Sequence, residues 1–316
     1  MNFSAVGNQF WSLLISGMAV GFLYVLISLG YTMVYGVLRL INFANSEIFM
    51  VGTFANTIMM VNVLKLGNSD YLHGWHLVWV FTLCILVSML ASGITAVLVE
   101  IVAYRRLRAK GTNRLASLIS AIGTSIVLSE SVRILTHSIP RAIPRLMHRF
   151  PVISFGNTQI TNDQILIIVS GVILFVVVDQ FVSKTLLGKA IRAVSMSEEN
   201  AKLMGINLNR VISYTFLIGG LVTGAAAFLY NVEYETTNFH IGFNYGLAAF
   251  TAAVLGGIGN IRGAFFGGIT LGILEEFAAT VLGTQWKAVT VFIVLVLVLL
   301  LKPNGLFGEA IQQSRV

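Results

Sequence analysis

Residues 10–36 carry no charged side chain, and neither do residues 48–64. Between these apolar runs the chain reads Arg39-Leu40-Ile41-Asn42-Phe43-Ala44-Asn45-Ser46-Glu47, a cation, two amides, a hydroxyl and a carboxylate in close succession. Polar groups in hydrocarbon are costly, so the insert predicts either a water-facing turn or a functional break in a membrane helix. Further apolar runs at 76–104, 116–136, 163–182, 211–230 and 286–301 approach or exceed the roughly 20 residues a spanning helix needs. Residues 246–261 and 263–282 are apolar too, but short and glycine-rich, and read as two tight spans or one re-entrant pair. The pattern predicts an all-α polytopic membrane protein with about eight to nine transmembrane segments in one domain over 1–316. A broken or re-entrant helix is expected near Gly256–Gly263.

Composition removes the soluble alternative. The chain is 56% hydrophobic and 10% charged, with mean hydropathy +0.85, whereas soluble domains carry about 25% charged residues. A β-barrel would show alternating segments of about 10 residues, and these runs are continuous. No basic residue precedes Arg39, so no cleavable leader is expected. Cys84 is the one cysteine, which excludes disulfides and cysteine-based metal sites within the chain.

The net charge of +7 is distributed as a topology signal, with no nucleic-acid partner implied. Arg105, Arg106, Arg108, Lys110 and Arg114 crowd one loop; Lys184, Lys189, Arg192, Lys202 and Arg210 occupy another, partly offset by Glu198 and Glu199. Glu233 and Glu235 stand in a loop without a base. The positive-inside bias then puts the two basic loops in the cytoplasm, the acidic one and the N-terminus outside, and the C-terminus inside. Arg39 falls on the inner side or at a mid-membrane break. The loop 136–162 contradicts the bias, since Arg141, Arg145 and Arg149 would lie outside; Pro140, Pro144 and Pro151 predict an ordered external loop there.

The loop at about 184–210 contains a helix signal. Ser197 supplies a cap hydroxyl, Glu198 and Glu199 put acids in the first turn, and Gly205 supplies the stop. Ala201 and Leu203 are expected to form its small apolar face. A short helix outside the membrane has little to pack on within one chain, which points to docking on a cytosolic partner; a solvated loop is the plainer alternative.

Gly188-x-Ala190-x-Arg192-Ala193, followed by Ala201-x-x-x-Gly205-Ile206, resembles the coupling segment of permeases of the branched-chain amino-acid ABC importers. Gly21-Phe22-Leu23-Tyr24 through Leu29-Gly30-Tyr31-Thr32-Met33-Val34-Tyr35-Gly36 and Ile41-Asn42-Phe43-Ala44 is similar to that family's first signature. Ala253-Val254-Leu255-Gly256-Gly257-Ile258-Gly259-Asn260-Ile261-Arg262-Gly263-Ala264, with Gly267, Gly268 and Glu275, is similar to the second. Lys302-Pro303-Asn304-Gly305-Leu306-Phe307-Gly308 resembles the C-terminal motif. One departure is Asn45-Ser46, where the family commonly carries His-Gly. The resemblance implies a non-enzymatic transport subunit of the bacterial inner membrane that moves branched-chain or other apolar amino acids inward. A urea or short-amide permease of the same family is the alternative, and an ion-coupled carrier or channel acting alone is the reading from another class. The implied partners are a second related permease, two cytosolic ATPases that bind ATP and magnesium, an extracytoplasmic binding protein and membrane lipid. Coupling to the ATPases would fall to Gly188, Arg192, Glu198, Glu199, Ala201 and Gly205.

Two places are expected to line the substrate path. Gly256, Gly257, Gly259 and Gly263 permit close helix packing, or turn a broken helix pair whose backbone faces a polar cavity, making Asn260 a site residue and Arg262 an inner-surface anchor. In the first half, Asn42 or Asn45 is expected to cap a helix running through Ile48, with uncapped N–H groups suited to a carboxylate. Glu47 has three candidate roles: favouring the helix dipole, pairing with Arg39, or receiving a substrate ammonium. Tyr35, Phe43 and Ser46 complete this set.

Absences narrow the function. No Gly-x-x-x-x-Gly-Lys-Ser/Thr motif occurs, so ATP hydrolysis must come from a partner. His73, His76, His137, His148 and His240 are scattered without an i, i+4 pair, which argues against a metal site. No Gly-x-Ser-x-Gly elbow appears. Acids within spans are few, chiefly Glu100, Glu130 and Glu275, with Asp179 near an end, which disfavours a proton relay.

Overall fold

The computed structural model describes residues 9–67, 71–72, 74–110, 114–155 and 158–308; His73 lies outside them. Helix α1 spans Phe10–Leu38 and, at 29 residues, extends about 43 Å. It is apolar on every side and buried from Gly17 to Val34 except at Met18, as a helix surrounded by other helices must be. The segment 39–44 turns back, and α2 (Asn45–Ile58) continues into a π-helical turn at Met59–Val63. Helix α3 (Trp75–Val99) also ends in π-helix, Glu100–Arg105, and α4 covers Arg114–Thr136. Strands β1 (Arg141–Ala142), β2 (Pro151–Phe155) and β3 (Thr158–Thr161) follow, then α5 (Asn162–Lys184). Helices α6 (Leu186–Met196) and α7 (Glu198–Leu203) precede α8 (Leu208–Glu233) and β4 (Thr236–Thr237). Helices α9 (Ile241–Gly256), α10 (Ile261–Leu282) and α11 (Lys287–Leu301) complete the chain. Eight of the described helical stretches are long and apolar enough to cross a bilayer, and α9 is shorter.

The most extensive helix contact is α1 with α10, and glycines explain it. Gly17 and Gly21 on α1 face Gly268 and Gly272 on α10, so each helix presents a small-xxx-small step to the other's backbone. Helix α8 packs on α1, α2 and α3 from the other side. The peripheral helices turn Leu86, Leu90 and Ile94 of α3, Ile119 and Ile126 of α4, Ile173 and Val177 of α5, and Phe292 and Leu300 of α11 outward. Such a continuous apolar surface suits hydrocarbon and not water.

The two ends of the bundle differ in charge. At one end lie Arg39, the basic stretch 105–110 and the α6–α7 segment, held together by Arg39 Nη2 donating to Ser195 O (3.0 Å) and by Arg105 and Arg108 bridging Glu100 to Ser213 and Asn209. At the other end β1 pairs antiparallel with β4, Arg141 opposite Thr237. There Arg145 pairs with Glu235, and Arg149 with Asp163 and Glu233. This explains the loop that breaks the charge bias: two of its three arginines are neutralised by the acids of the neighbouring loop. All four tryptophans, Trp11, Trp75, Trp79 and Trp286, are exposed near helix starts at this same end, where interfacial aromatic rings anchor membrane proteins. Arg149→Ala should strand the buried Asp163 carboxylate and cost about 1–3 kcal/mol. A lower thermal unfolding midpoint of the purified protein would register it, and an unchanged midpoint would count against this lock.

Candidate functional site: two helix starts at mid-membrane

The insert 39–47 is a break inside the bundle and not a water-facing turn. Asn42, Asn45, Ser46 and Glu47 are all buried. Asn45 Nδ2 donates to Ile27 O (3.3 Å), and Ile27 lies near the midpoint of α1, so α2 starts at mid-membrane depth. Neither asparagine caps it. Ala44 takes the cap position without a side-chain bond; Asn42 Oδ1 accepts instead from Ala44 N (3.2 Å) and Tyr104 Oη (3.0 Å). Asn45 is already helical and reaches back to α1.

The expected free N–H groups are also largely engaged. Asn45 N donates to Asn42 O (3.1 Å), while Glu47 N and Ile48 N donate to Ala44 O (3.1 and 3.0 Å). The expectation of a carboxylate-binding helix start is therefore corrected: the break presents an acid more than free donors. Arg39 does not pair with Glu47, because its left-handed backbone (φ 51°) turns the guanidinium to Ser195. Glu47 Oε1 accepts from Ser125 Oγ of α4 at 3.4 Å, and Oε2 has no hydrogen-bond partner.

A second helix start meets this one. Helix α9 begins at Ile241, and its Gly242 and Gly246 lie against Glu47 and Ser46; a Cβ on Gly242 would stand 2.5 Å from Glu47 Oε2. Tyr245 approaches Tyr24 of α1 (ring centroids 5.8 Å), which sets α9's first turns at the same depth. At 16 residues, about 24 Å, α9 is shorter than a full crossing of about 30 Å and runs from that depth to the glycine hairpin that follows Gly256. Phe250 stands between Tyr31 (6.1 Å) and Phe43 (5.9 Å), giving the polar break an aromatic wall. The sequence reading missed Ser125, Gly242, Gly246, Tyr31 and Phe250 as site residues. Gly242-x-x-x-Gly246 is a spacing that signals close packing; nothing local marks Ser125.

The glycine hairpin has another role. Gly257 (φ 106°) and Gly259 (φ 97°) turn the chain from α9 to α10 with angles that side chains resist. Gly256 packs on Gly263 backbone to backbone, and Tyr35's ring lies beside Gly259. The freed carbonyls are met within the chain: Leu306 N and Phe307 N of the C-terminal motif donate to Leu255 O (2.8 Å) and Gly256 O (3.1 Å). Asn260 Oδ1 caps α10 at Arg262 N and Gly263 N, and its Nδ2 donates to Phe307 O (3.0 Å). Arg262 is exposed and pairs with Asp179 at 3.4 Å, as befits an anchor. Gly256, Gly257, Gly259 and Asn260 thus sit together near the basic end of the bundle. The mid-membrane counterpart of the α1–α2 break is the start of α9.

The α6–α7 segment continues from α5 with the sidedness that docking requires. Gly188 approaches the Val182 and Phe181 carbonyls too closely for a side chain, and Arg192 Nη2 donates to Ser183 O (3.1 Å). Ile191, Val194 and Ala201 are buried against the bundle, while Leu186, Met196, Leu203 and Met204 are each more than 80% exposed. Ser197 Oγ accepts from Asn200 N (3.3 Å) to cap α7, Glu198 and Glu199 occupy its first turn, and Gly205 (φ 79°) ends it. Ala201 and Leu203 do not share a face; two residues apart on a helix, they point roughly oppositely, one anchoring and one projecting.

Residues 13–301 match the family model described as branched-chain amino acid transport system / permease component. The chain belongs to this permease family. It is 40% identical to the high-affinity branched-chain amino acid transport system permease protein BraD of Pseudomonas aeruginosa, over 94% of this chain and 95% of that protein. It is 38% identical to the permease protein LivH of Escherichia coli K12, over 93% and 94% of the two chains. A probable branched-chain amino acid permease LivH of Methanocaldococcus jannaschii is 22% identical over 90% of this chain and 89% of its own. The permease's 188–206 motif, its two signatures and its C-terminal motif therefore have distinct structural places. The first signature builds the mid-membrane break, and the second and the C-terminal motif lock one hairpin.

Proposed function

We propose that this chain is the membrane-spanning subunit of an ATP-driven importer that carries branched-chain amino acids into the cytoplasm across the plasma membrane. Its basic end faces the cytoplasm, with the N-terminus outside and the C-terminus inside, as the charge segregation supports. The single observation that carries the reading is the α6–α7 segment, anchored by Ile191, Val194 and Ala201 while presenting Leu203 and Met204 to solvent. That is an apolar contact with no partner inside the chain, and two cytosolic ATPases carrying ATP and magnesium are the partners that fit. A second related permease and an extracytoplasmic binding protein complete the complex. Closure of the ATPases would move α6–α7, and Arg39 ties the last turn of α6 to the break before α2.

The complete complex in proteoliposomes should take up leucine only with ATP and the loaded binding protein. Uptake by this chain alone, without ATP, would sink the importer reading in favour of a self-sufficient carrier.

A further inference from the structure

A groove of about 350 Å³ opens between the end of α3 and the first turns of α8, at the basic end of the bundle. Ligand sites start at about 300 Å³, so this one has room for a headgroup and the start of a chain. Arg105, Arg210 and Ser213 line its polar part, and Val97, Tyr214 and Leu217 its apolar part. The polar rim carries excess positive charge. The Glu100 side chain is fully buried beneath it and pairs with Arg105 (2.7 Å) and Arg108 (3.4 Å). Arg210 is exposed, and its guanidinium has no hydrogen bond or ion pair among the described residues. Three guanidiniums against one carboxylate leave a surplus of two positive charges. Below the rim the groove opens toward hydrocarbon. On α3, Val97 shares a face with Ile94, Leu98 and Ile101, which are all exposed. Arg210, Tyr214 and Leu217, spaced i, i+4, i+7, descend along one face of α8. Cation, phenol ring and alkyl group in that order follow the polarity of a lipid from its phosphate to its acyl chain. A soluble partner would match the rim and leave the hydrocarbon-facing walls bare.

We propose that this groove binds an anionic phospholipid from the leaflet at the basic end of the bundle. Its phosphate meets Arg105 and Arg210, and one acyl chain follows Tyr214, Leu217 and Val97 outward along the α3–α8 seam. The bound anion offsets the surplus charge around Glu100, which juxtamembrane arginines favour in anionic membranes. Free phosphate lacks the apolar half of this fit, and a neutral phospholipid lacks the net charge.

The test is native mass spectrometry of the full-length chain in neutral detergent, alone and with co-expressed partner subunits, titrated with dioleoylphosphatidylglycerol. Wild type should retain the lipid in both preparations and should retain dioleoylphosphatidylcholine far less. Arg210→Gln should weaken retention of one molecule about fivefold, the share of one arginine at the membrane surface. Val97→Trp, which fills the apolar half of the groove, should weaken it at least as much. Lys184→Gln removes an exposed charge at the same end of the bundle, outside the groove, and should leave retention unchanged. Equal weakening by Lys184→Gln would mean diffuse attraction and overturn the proposal. Wild-type retention by Arg210→Gln would overturn it too, and this variant decides if Val97→Trp fails to fold, because Arg210 is exposed and unpaired. Displacement of the lipid by inorganic phosphate would overturn the lipid assignment in favour of a free anion. Retention by the chain alone that vanishes in the assembled complex would make the groove a subunit contact and likewise overturn the proposal.

Discussion

Gly21→Leu is expected to remove most of the folded permease from membranes. A Cβ at Gly21 would lie 2.9 Å from Ile269 Cα and 3.0 Å from Gly268 O, and one at Gly17 would lie 2.7 Å from Ile273 Cα. These obstacles are backbone, so no rotamer change relieves them. Overpacking a core usually costs about 1–3 kcal/mol where side chains can yield, and more is expected where two helix axes must separate. Total stability is only about 5–15 kcal/mol, and this pair makes the most extensive contact in the bundle, so the loss should be large. Gly123→Leu is the control, because nothing lies within 4 Å of the Cβ position on that exposed face of α4. Size-exclusion profiles of the detergent-extracted proteins would read the difference. A monodisperse Gly21→Leu peak equal to that of Gly123→Leu would refute close α1–α10 packing.

The second large effect concerns coupling. Leu203→Glu combined with Met204→Glu should lower ATP-driven uptake by at least about tenfold, which corresponds to roughly 1.4 kcal/mol of lost coupling contact. Both side chains are more than 80% exposed, so thermal stability should stay nearly constant. Ala201→Glu is expected to behave differently: Ala201 is 2% exposed, and a carboxylate forced against the bundle should lower the unfolding midpoint as well as transport. Wild-type uptake by the Leu203/Met204 double variant would place the docking surface elsewhere.

Much of the architecture was legible because membrane insertion is written in one-dimensional patterns. Long uncharged runs demand helices, since backbone polar groups in hydrocarbon must bond internally. The cap at Ser197 and the stop at Gly205 were legible for a similar reason, as each depends on residues a few positions away. The depth of the insert was not legible. Asn42 and Asn45 look like caps in sequence, but Tyr104 and Ile27, far along the chain or on another helix, claimed their side chains. Likewise the glycines at 256–263 read as a possible cavity until the C-terminal motif proved to supply their carbonyls' donors. The exception at Arg141–Arg149 was visible as a conflict of charge, and only the pairing with Glu233, Glu235 and Asp163 removed it.

By itself, then, the sequence determined that the chain crosses the membrane many times, that one end is basic, and that four stretches resemble those of importer permeases. Local hydropathy and charge suffice for the first two conclusions, and the third rests on the resemblance of its motifs. Only the tertiary structure decided that α2 and α9 both start at mid-membrane depth and meet at Glu47, because that meeting joins residues nearly two hundred positions apart. A buried carboxylate is anomalous only once its surroundings are known, and Gly242 and Ser125 reach it through packing that no local pattern encodes.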